Sequence, residues 1–150
     1  MSTPYDNLGG ITSLDISGIS NILLFTEIGN SRAIQFHDGK AWTSLPFSYG
    51  SAMLSEEPND SDAGELLMQK VVFRLPGINA DNLQLLVGLR NTRVVAKLGT
   101  ESGAAIVMGS VNFPATVTYR TIPGALASDY SGYEVTIQAK STTPMGLLVL

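Results

Sequence analysis

Residues 65–98 constrain the fold more than any other stretch, because they combine the two periodicities of regular secondary structure. The first part, residues 66–75, alternates between two faces. One face is apolar apart from Gln69, and the other carries Lys70 and Arg74, which is the pattern of a β-strand with one buried face. A Pro-Gly pair then ends the strand. The stretch therefore begins with a strand that has a core face and a face with cations.

A helix and a second strand complete this unit. Asn79 can cap the helix through its side-chain oxygen, and apolar residues then recur at spacings of three and four over about three turns. Residues 93–98 return to alternation, with Arg93 and Lys97 on the polar side. This strand-helix-strand unit indicates a fold class and carries no catalytic motif.

The rest of the chain is mainly β in pattern. Six further segments have the alternation or apolar runs of strands: residues 21–28, 32–37, 41–43, 104–108, 115–120 and 133–140. The first three segments predict a meander. The fourth, residues 104–108, predicts a hairpin with the strand over residues 93–98. With roughly eight strands and one helix, we predict a mainly β, α+β fold. Its architecture is an antiparallel β-sandwich or open barrel with a helix packed on one side.

The chain has 150 residues, the size of one domain with a substantial core. Residues 1–20 are rich in Ser, Thr, Gly, Asn and Asp and predict a flexible or partner-ordered N-terminal arm. Residues 21–144 form the predicted β-rich domain. Residues 145–150 are an apolar C-terminal tail, which either adds a strand to the core or packs on another subunit. The N-terminus lacks the pattern of a signal peptide, so we expect no Sec-type export.

Charge is sparse and concentrated in one run. The net charge of −4 disfavours general nucleic-acid binding, which needs several cations on one face. Residues 56–65 hold five carboxylates and predict an exposed loop or long hairpin tip. Their order departs from the ligand order of a calcium-binding EF-hand loop, and we predict neither metal nor cofactor.

No residue pattern predicts catalysis. The chain has no cysteine and a single histidine, His37, which lies in an alternating segment and is predicted to be a surface side chain. No nucleophile elbow, phosphate-binding loop or dinucleotide-binding motif is present. We therefore expect no catalytic residue and no small-molecule substrate. A hydrolase would instead require carboxylates such as Asp38 and Glu134 to converge with raised pKa values.

A binding module is the other alternative. A small carbohydrate- or peptide-binding β module predicts a groove lined by aromatic side chains. The candidates are Trp42, Tyr49, Tyr119 and Tyr130.

The order of these elements resembles small tail or neck proteins of bacteriophages, especially those infecting Bacteroidetes. The resemblance covers about residues 50–145. It rests on the acidic run and on these segments: residues 69–77, the helix over 83–90, the strand over 93–98, the hairpin at Gly103 and the strand over 132–137. It implies a non-enzymatic virion protein that forms a ring or tube in the tail, neck or baseplate.

The resemblance also implies partners. These are copies of the same chain and other virion proteins, with passive contact to DNA passing through a lumen, no membrane, and assembly in the host cytoplasm. We expect interface residues of three kinds: the carboxylates Glu56, Glu57, Asp60, Asp62 and Glu65; the cations Lys70, Arg74, Arg93 and Lys97; and the tail leucines Leu147, Leu148 and Leu150. One subunit's acidic loop is predicted to lie near a neighbour's basic face.

Overall fold

In a computed structural model, the described residues form eleven strands and one α-helix, and the strands make two packed sheets. The structure describes residues 10–48, 50–61, 64–125 and 130–148, with the backbone alone for 59–61, 64 and 65. The elements are β1 (Ile11–Gly18), a 3-10 turn (Ile19–Asn21), β2 (Ile22–Ile28), β3 (Ser31–Phe36), β4 (Thr43–Ser44), β5 (Met53–Ser61), β6 (Gly64–Pro76), α1 (Ala80–Arg90), β7 (Val94–Thr100), β8 (Ala105–Met108), β9 (Thr116–Ile122), β10 (Gly132–Ser141) and β11 (Gly146–Leu148).

The strands divide unequally between the sheets. One sheet has the order β2-β3-β11-β8-β7-β1-β4, and the other has the order β5-β6-β10-β9. All strand pairs are antiparallel except β11 with β3. The prediction of a mainly β sandwich with one helix is confirmed, and the described strands do not close into a barrel.

The main core lies between the two sheets. Alternate residues of β6 and β10 point inward, as their sequence pattern predicts, and pack against alternate residues of β1 and β7. The largest of these fully buried side chains include Leu14, Phe73, Leu98 and Ile137. A second, smaller apolar cluster lies on the opposite face of the seven-stranded sheet, around Ile22, Val95 and Val107.

The strand-helix-strand unit joins the sheets. Strand β6 belongs to the four-stranded sheet and β7 to the seven-stranded sheet, so α1 carries the chain from one to the other. The predicted cap is present, because Asn79 Oδ1 accepts a hydrogen bond from the Asn82 N–H at 2.9 Å. Leu86 is buried in the main core, and the helix contacts the edge strand β9. The helix therefore lies beside β9.

Part of the predicted N-terminal arm is a strand. Residues 11–18 form β1, between β7 and β4, so the prediction of an arm over residues 1–20 is wrong for this part. Leu14 and Ile16 point into the main core, whereas Asp15 points to the outer face and accepts a hydrogen bond from Ser44 Oγ at 2.6 Å. This strand was not predicted because its short polar residues, Ser13, Asp15 and Ser17, are typical of loops. Residues 1–9 lie outside the described residues.

The predicted three-strand meander is only a hairpin. Strands β2 and β3 pair across a two-residue turn, in which Gly29 has a φ of 58° that glycine adopts without strain. Strand β4, however, pairs with β1 and not with β3. The predicted hairpin of β7 with β8 is confirmed.

The C-terminal tail adds a strand to the sheet, which was one of the two predicted alternatives. Strand β11 lies between β3 and β8, and Leu148 packs on the second apolar cluster. Leu150 lies outside the described residues. The buried Arg32 holds this segment, because its NH2 group donates to the Pro144 carbonyl at 2.9 Å and its NH1 group donates to the carbonyls of Gly29 and Ser31 at 3.0 Å each.

A buried glutamine ties the two sheets together. The Nε2 atom of Gln69, in β6, donates to the Thr143 carbonyl at 3.1 Å and to Glu56 Oε2 at 3.2 Å. Its Oε1 atom accepts from the Gly109 N–H at 3.1 Å. Gly109 follows β8 of the seven-stranded sheet, and Thr143 lies in the connection from β10 to β11, so one amide of the four-stranded sheet binds a segment of the other sheet and the connection between the two.

Candidate interaction surfaces

Four cations share the outer face of the four-stranded sheet, which we call the basic face. Arg74 of β6 pairs with Glu134 of β10, which in turn pairs with Arg120 of β9, so these three side chains form one row on one side of the sheet. The charged side chains on this face are the cations Lys70, Arg74, Arg120 and Lys140 and the carboxylates Glu57 and Glu134. Cations therefore outnumber carboxylates there.

One of these cations is neutralised within the sheet. Arg120 Nε donates to Glu134 Oε1 at 2.9 Å, and Arg120 NH2 donates to Glu134 Oε2 at 3.3 Å. The hydrogen bond from Arg120 lowers the pKa of Glu134 below its ordinary value, and the charges of Arg74 and Lys70 lower it further. Arg74 and Lys70 keep their own charge without a bonded carboxylate among the described residues.

We expect Glu134 to titrate below the ordinary glutamate pKa and Arg120→Ala to raise its midpoint. Because the folded pKa is the lower one, the pair stabilises the fold above the unfolded-state pKa, and this contribution is lost as the pH falls through the folded pKa. The contribution is small, since the Arg120 side chain is 70% exposed. A ¹³C NMR titration of the carboxyl group measures both midpoints. Equal midpoints in wild type and variant would contradict this expectation.

Arg74 borders an open depression of about 450 Å³, which we call the Arg74 depression. The Arg74 guanidinium carbon lies 4.9 Å from the centroid of the Tyr130 ring, within the range of a cation–π contact. A turn holds the backbone of Arg74: Ser48 N–H donates to its carbonyl at 2.8 Å, and its own N–H donates to Ser51 Oγ at 3.1 Å. Other residues that line the depression are Met53, Val72 and Glu134.

Tyr130 is itself held in place. Its hydroxyl donates to the Tyr133 carbonyl at 3.1 Å, and burial raises its pKa above the ordinary value. Because the hydroxyl is bonded inward, Tyr130 supports the Arg74 guanidinium mainly through its ring.

The acidic run is the tip of the β5-β6 hairpin. Pairing continues to Ser61 opposite Gly64, and residues 62–63 lie outside the described residues. Strand β10 pairs with β6 only as far as Leu67, and the tip extends beyond it. Of the two predicted forms, an exposed loop or a long hairpin tip, the chain adopts the second. We call this segment, residues 56–65, the acidic hairpin.

The carboxylates of the acidic hairpin differ in their surroundings. Glu56 Oε2 is engaged within its own chain, since it accepts hydrogen bonds from Gln69 Nε2 and from the Met145 N–H at 2.8 Å. Glu57 is exposed. The structure describes only the backbone of Asp60 and Glu65, and Asp62 lies outside the described residues.

The two cations of the second predicted strand lie apart from each other. Arg93 is exposed just before β7 and lines a shallow depression together with Lys140, so it borders the basic face. Lys97 lies on the outer face of the other sheet, where its Nζ is 3.3 Å from Asp15 Oδ2 and 5.3 Å from the centroid of the Trp42 ring. The prediction that Lys97 shares a face with Arg74 is wrong, because α1 carries the chain between sheets.

The seven-stranded sheet extends past the four-stranded sheet and leaves apolar side chains uncovered. Ile106, Leu147 and Ile28 occupy one row across β8, β11 and β2, on the side that faces the main core. Exposure increases along this row, from the half-buried Ile106 to Leu147 at 50% and Ile28 at 73%. Leu24 lies on the same side of β2 and is also exposed. We call Leu24, Ile28 and Leu147 the apolar ledge.

The helix has a second uncovered apolar surface. Leu86 points into the main core, yet Leu83 and Val87, four residues apart on the same side of α1, are exposed. Ile78, which precedes the Asn79 cap, is exposed as well. We call Ile78, Leu83 and Val87 the helix stripe. Apolar residues thus occur on both the core-facing and the exposed side of α1.

The described aromatic candidates do not share one groove. Trp42 packs edge-on against Phe36, with ring centroids 5.3 Å apart, over the second apolar cluster. Tyr119 packs edge-on against Tyr133 at the main core, with centroids 5.8 Å apart. Tyr130 lies at the basic face, and Tyr49 is outside the described residues. The described aromatic side chains therefore belong to three separate places.

Asp38 and Glu134, the carboxylates named for a hydrolase, lie at different sheets. Asp38 follows β3 of the seven-stranded sheet, and Glu134 lies in the four-stranded sheet with a lowered pKa, not a raised one. In the described part of the chain, no three His, Asp or Glu side chains are close enough to hold a metal ion. None of the helices described there has the length and apolarity needed to cross a bilayer.

Sequence reasoning missed three residues of the basic face. Arg120 and Lys140 lie on the polar sides of two predicted strands, and that alternation was a usable signal for their orientation. The signal did not show that their strands, β9 and β10, lie in the same sheet as β6. Tyr130 lies in a loop segment with no period, and nothing in the sequence links it to Arg74.

Comparison of the chain with protein-family models, with curated proteins and with solved structures found no match.

Proposed function

We propose that the protein is a non-enzymatic structural subunit of a bacteriophage virion, which assembles with copies of itself into a ring or tube in the tail, neck or baseplate. The observation that carries this proposal is the presence of two separate apolar surfaces, the apolar ledge and the helix stripe. Their six side chains are each at least 43% exposed. Grouped exposed apolar side chains are a feature of protein interfaces.

The positions of the two surfaces suit a closed assembly. The helix stripe lies on α1, which packs beside the edge strand β9 of the four-stranded sheet. The apolar ledge lies at the β2 end of the other sheet. A ring is built by head-to-tail contacts and needs two different, complementary surfaces on each subunit. The ledge and the stripe provide two such surfaces.

The phage assignment draws on the resemblance noted in the sequence. Its segments correspond to the β5-β6 hairpin, α1, β7, the β7-β8 hairpin and β10. These elements make up most of the four-stranded sheet and the connection to the other sheet. The resemblance therefore involves three of the four strands of the four-stranded sheet. It is the ground for the proposed virion role.

We expect the wild-type protein to assemble and Ile28→Lys and Val87→Lys each to give a folded monomer. A lysine at a packed apolar contact costs association of the order of 2 kcal/mol, or about thirtyfold in the dissociation constant. Both side chains are exposed in the subunit, so its own stability is expected to change little. Light scattering coupled to gel filtration over a range of protein concentrations measures the mass, and negative-stain electron microscopy shows the shape.

Ser20→Lys is the matched control, because it adds the same charge at an exposed position outside both surfaces. It should assemble as the wild type does. A wild-type chain that stays strictly monomeric at every concentration would exclude the proposed function.

A further inference from the structure

We infer that the Arg74 depression binds carboxylates on the acidic hairpin of a neighbouring copy of this chain. The inference rests on the proposed function and names one contact of the assembly. Four properties of the subunit support it: the presentation of the Arg74 guanidinium, the charge around it, the distance to the subunit's own hairpin, and the composition of that hairpin.

The Arg74 guanidinium is held in place and has hydrogen-bond donors to spare. Its carbon lies 4.9 Å from the centroid of the Tyr130 ring, and the turn at Ser48 and Ser51 fixes the backbone from which it extends. A cation–π contact with a ring takes up none of the N–H donors of a guanidinium in a hydrogen bond to a carboxylate or carbonyl. No described residue accepts a hydrogen bond from these donors. A planar fork of this kind suits bidentate binding of a carboxylate.

The surrounding charge also favours an anion. Glu134 is the carboxylate next to Arg74 in the row across the sheet, and Arg120 already binds both of its oxygens. Lys70 lies four residues before Arg74 on the same face of β6. With Glu134 offset by Arg120, the charges of Arg74 and Lys70 remain to attract an incoming carboxylate.

The subunit's own hairpin cannot fill this depression. Glu65 and Arg74 lie toward opposite ends of the single extended strand β6. At about 3.3 Å per residue, they are roughly 30 Å apart. Carboxylates of an acidic hairpin can therefore reach Arg74 only from another molecule. Because the acidic and basic ends are at opposite ends of one strand, the contact joins two different surfaces of identical subunits, which is the kind of contact that a head-to-tail ring uses.

The hairpin has the complementary composition. Besides the engaged Glu56, it carries Glu57, Asp60, Asp62 and Glu65, and its backbone beyond Pro58 and Leu67 extends past the end of the β6-β10 pairing. A projecting acidic tip and a cationic depression are electrostatically complementary, which speeds encounter and selects orientation. Such a contact weakens as salt is added.

The test is a charge swap in the full-length chain. Arg74→Glu, and separately a hairpin variant with Glu57→Lys, Asp60→Lys and Glu65→Lys, are each expected to weaken assembly at least about tenfold. The chain that carries both sets of changes restores it, since each contact again joins opposite charges. Arg74→Lys is expected to be intermediate, because it keeps the charge and loses the planar fork. Sedimentation velocity at low and high salt measures the assembled fraction.

Lys40→Glu is the control for net charge, since Lys40 is exposed in the turn after β3 and should leave assembly unchanged. Circular dichroism melting checks that each variant is folded. If Arg74→Glu or the hairpin variant unfolds, the assembly of the combined variant tests the inference. Normal assembly of Arg74→Glu, or a combined variant no better than its parents, overturns the inference while the proposed function stands. Normal assembly of the hairpin variant also overturns the inference, because the depression would then bind something other than the acidic hairpin.

Discussion

Replacing Gln69 by leucine is expected to lower the free energy of unfolding by about 2–3 kcal/mol. Leucine has a similar size, so packing changes little, but it cannot replace the hydrogen bonds of the buried amide. The Gly109 N–H and the Thr143 carbonyl would each lose their bond to this amide, and Glu56 would lose one of its donors. A polar group left unsatisfied in a partly buried place costs about 1–3 kcal/mol.

Urea unfolding followed by circular dichroism measures this loss. Gln138→Leu is the matched control, because Gln138 lies on the outer face of the same sheet, opposite Lys70. Its replacement is expected to change stability by no more than about 0.5 kcal/mol. Equal losses in the free energy of unfolding for Gln69→Leu and Gln138→Leu would contradict the stabilising role of the Gln69 hydrogen bonds.

Replacing Arg32 by methionine is expected to cost about 2–3 kcal/mol and to loosen β11. Methionine retains an unbranched stem but cannot donate to the carbonyls of Gly29, Ser31 and Pro144. Hydrogen bonds from a charged donor each contribute about 1.5–3 kcal/mol. Part of that gain is offset because no described carboxylate pairs with this buried charge.

Hydrogen exchange measures the local effect, and denaturant unfolding measures the global one. The amides of Leu147 and Leu148 should exchange faster in Arg32→Met than in the wild type, because the strand opens more often. Arg93→Met is the control, since Arg93 is exposed. Unchanged exchange in β11 would mean that the ladder with β3 and β8 holds this strand without Arg32.

Much of the sheet structure follows from alternation alone. The core-facing residues of β6 and β10, such as Phe73 and Ile137, were predicted because apolar side chains recur at every second position over long runs. Strand β1 was missed because Ser13, Asp15 and Ser17 resemble a loop. The Asp15 side chain is satisfied by partners that are distant in sequence. Ser44, for example, donates a hydrogen bond to it.

The candidate site was predictable only in part. Lys70 and Lys97 both lie on the polar side of a strand, and their sequence context does not distinguish them. They lie on opposite sides of the sandwich because α1 passes from one sheet to the other. The stacking of Arg74 on Tyr130 joins residues 56 positions apart in the chain, through pairings that periodicity does not encode.

The position of β11 has a consequence for the order of folding. Among the described strands, the β2-β3 hairpin is joined to the sheet ladder only through β11, and Arg32 bonds to Pro144 across 112 positions of sequence. The hairpin can form early from local contacts, but it cannot dock by backbone pairing until this distant segment arrives. Residues 22–36 therefore depend on the late closure of a long loop, and a pause before that closure would leave the edge of β3 open to pairing with other chains.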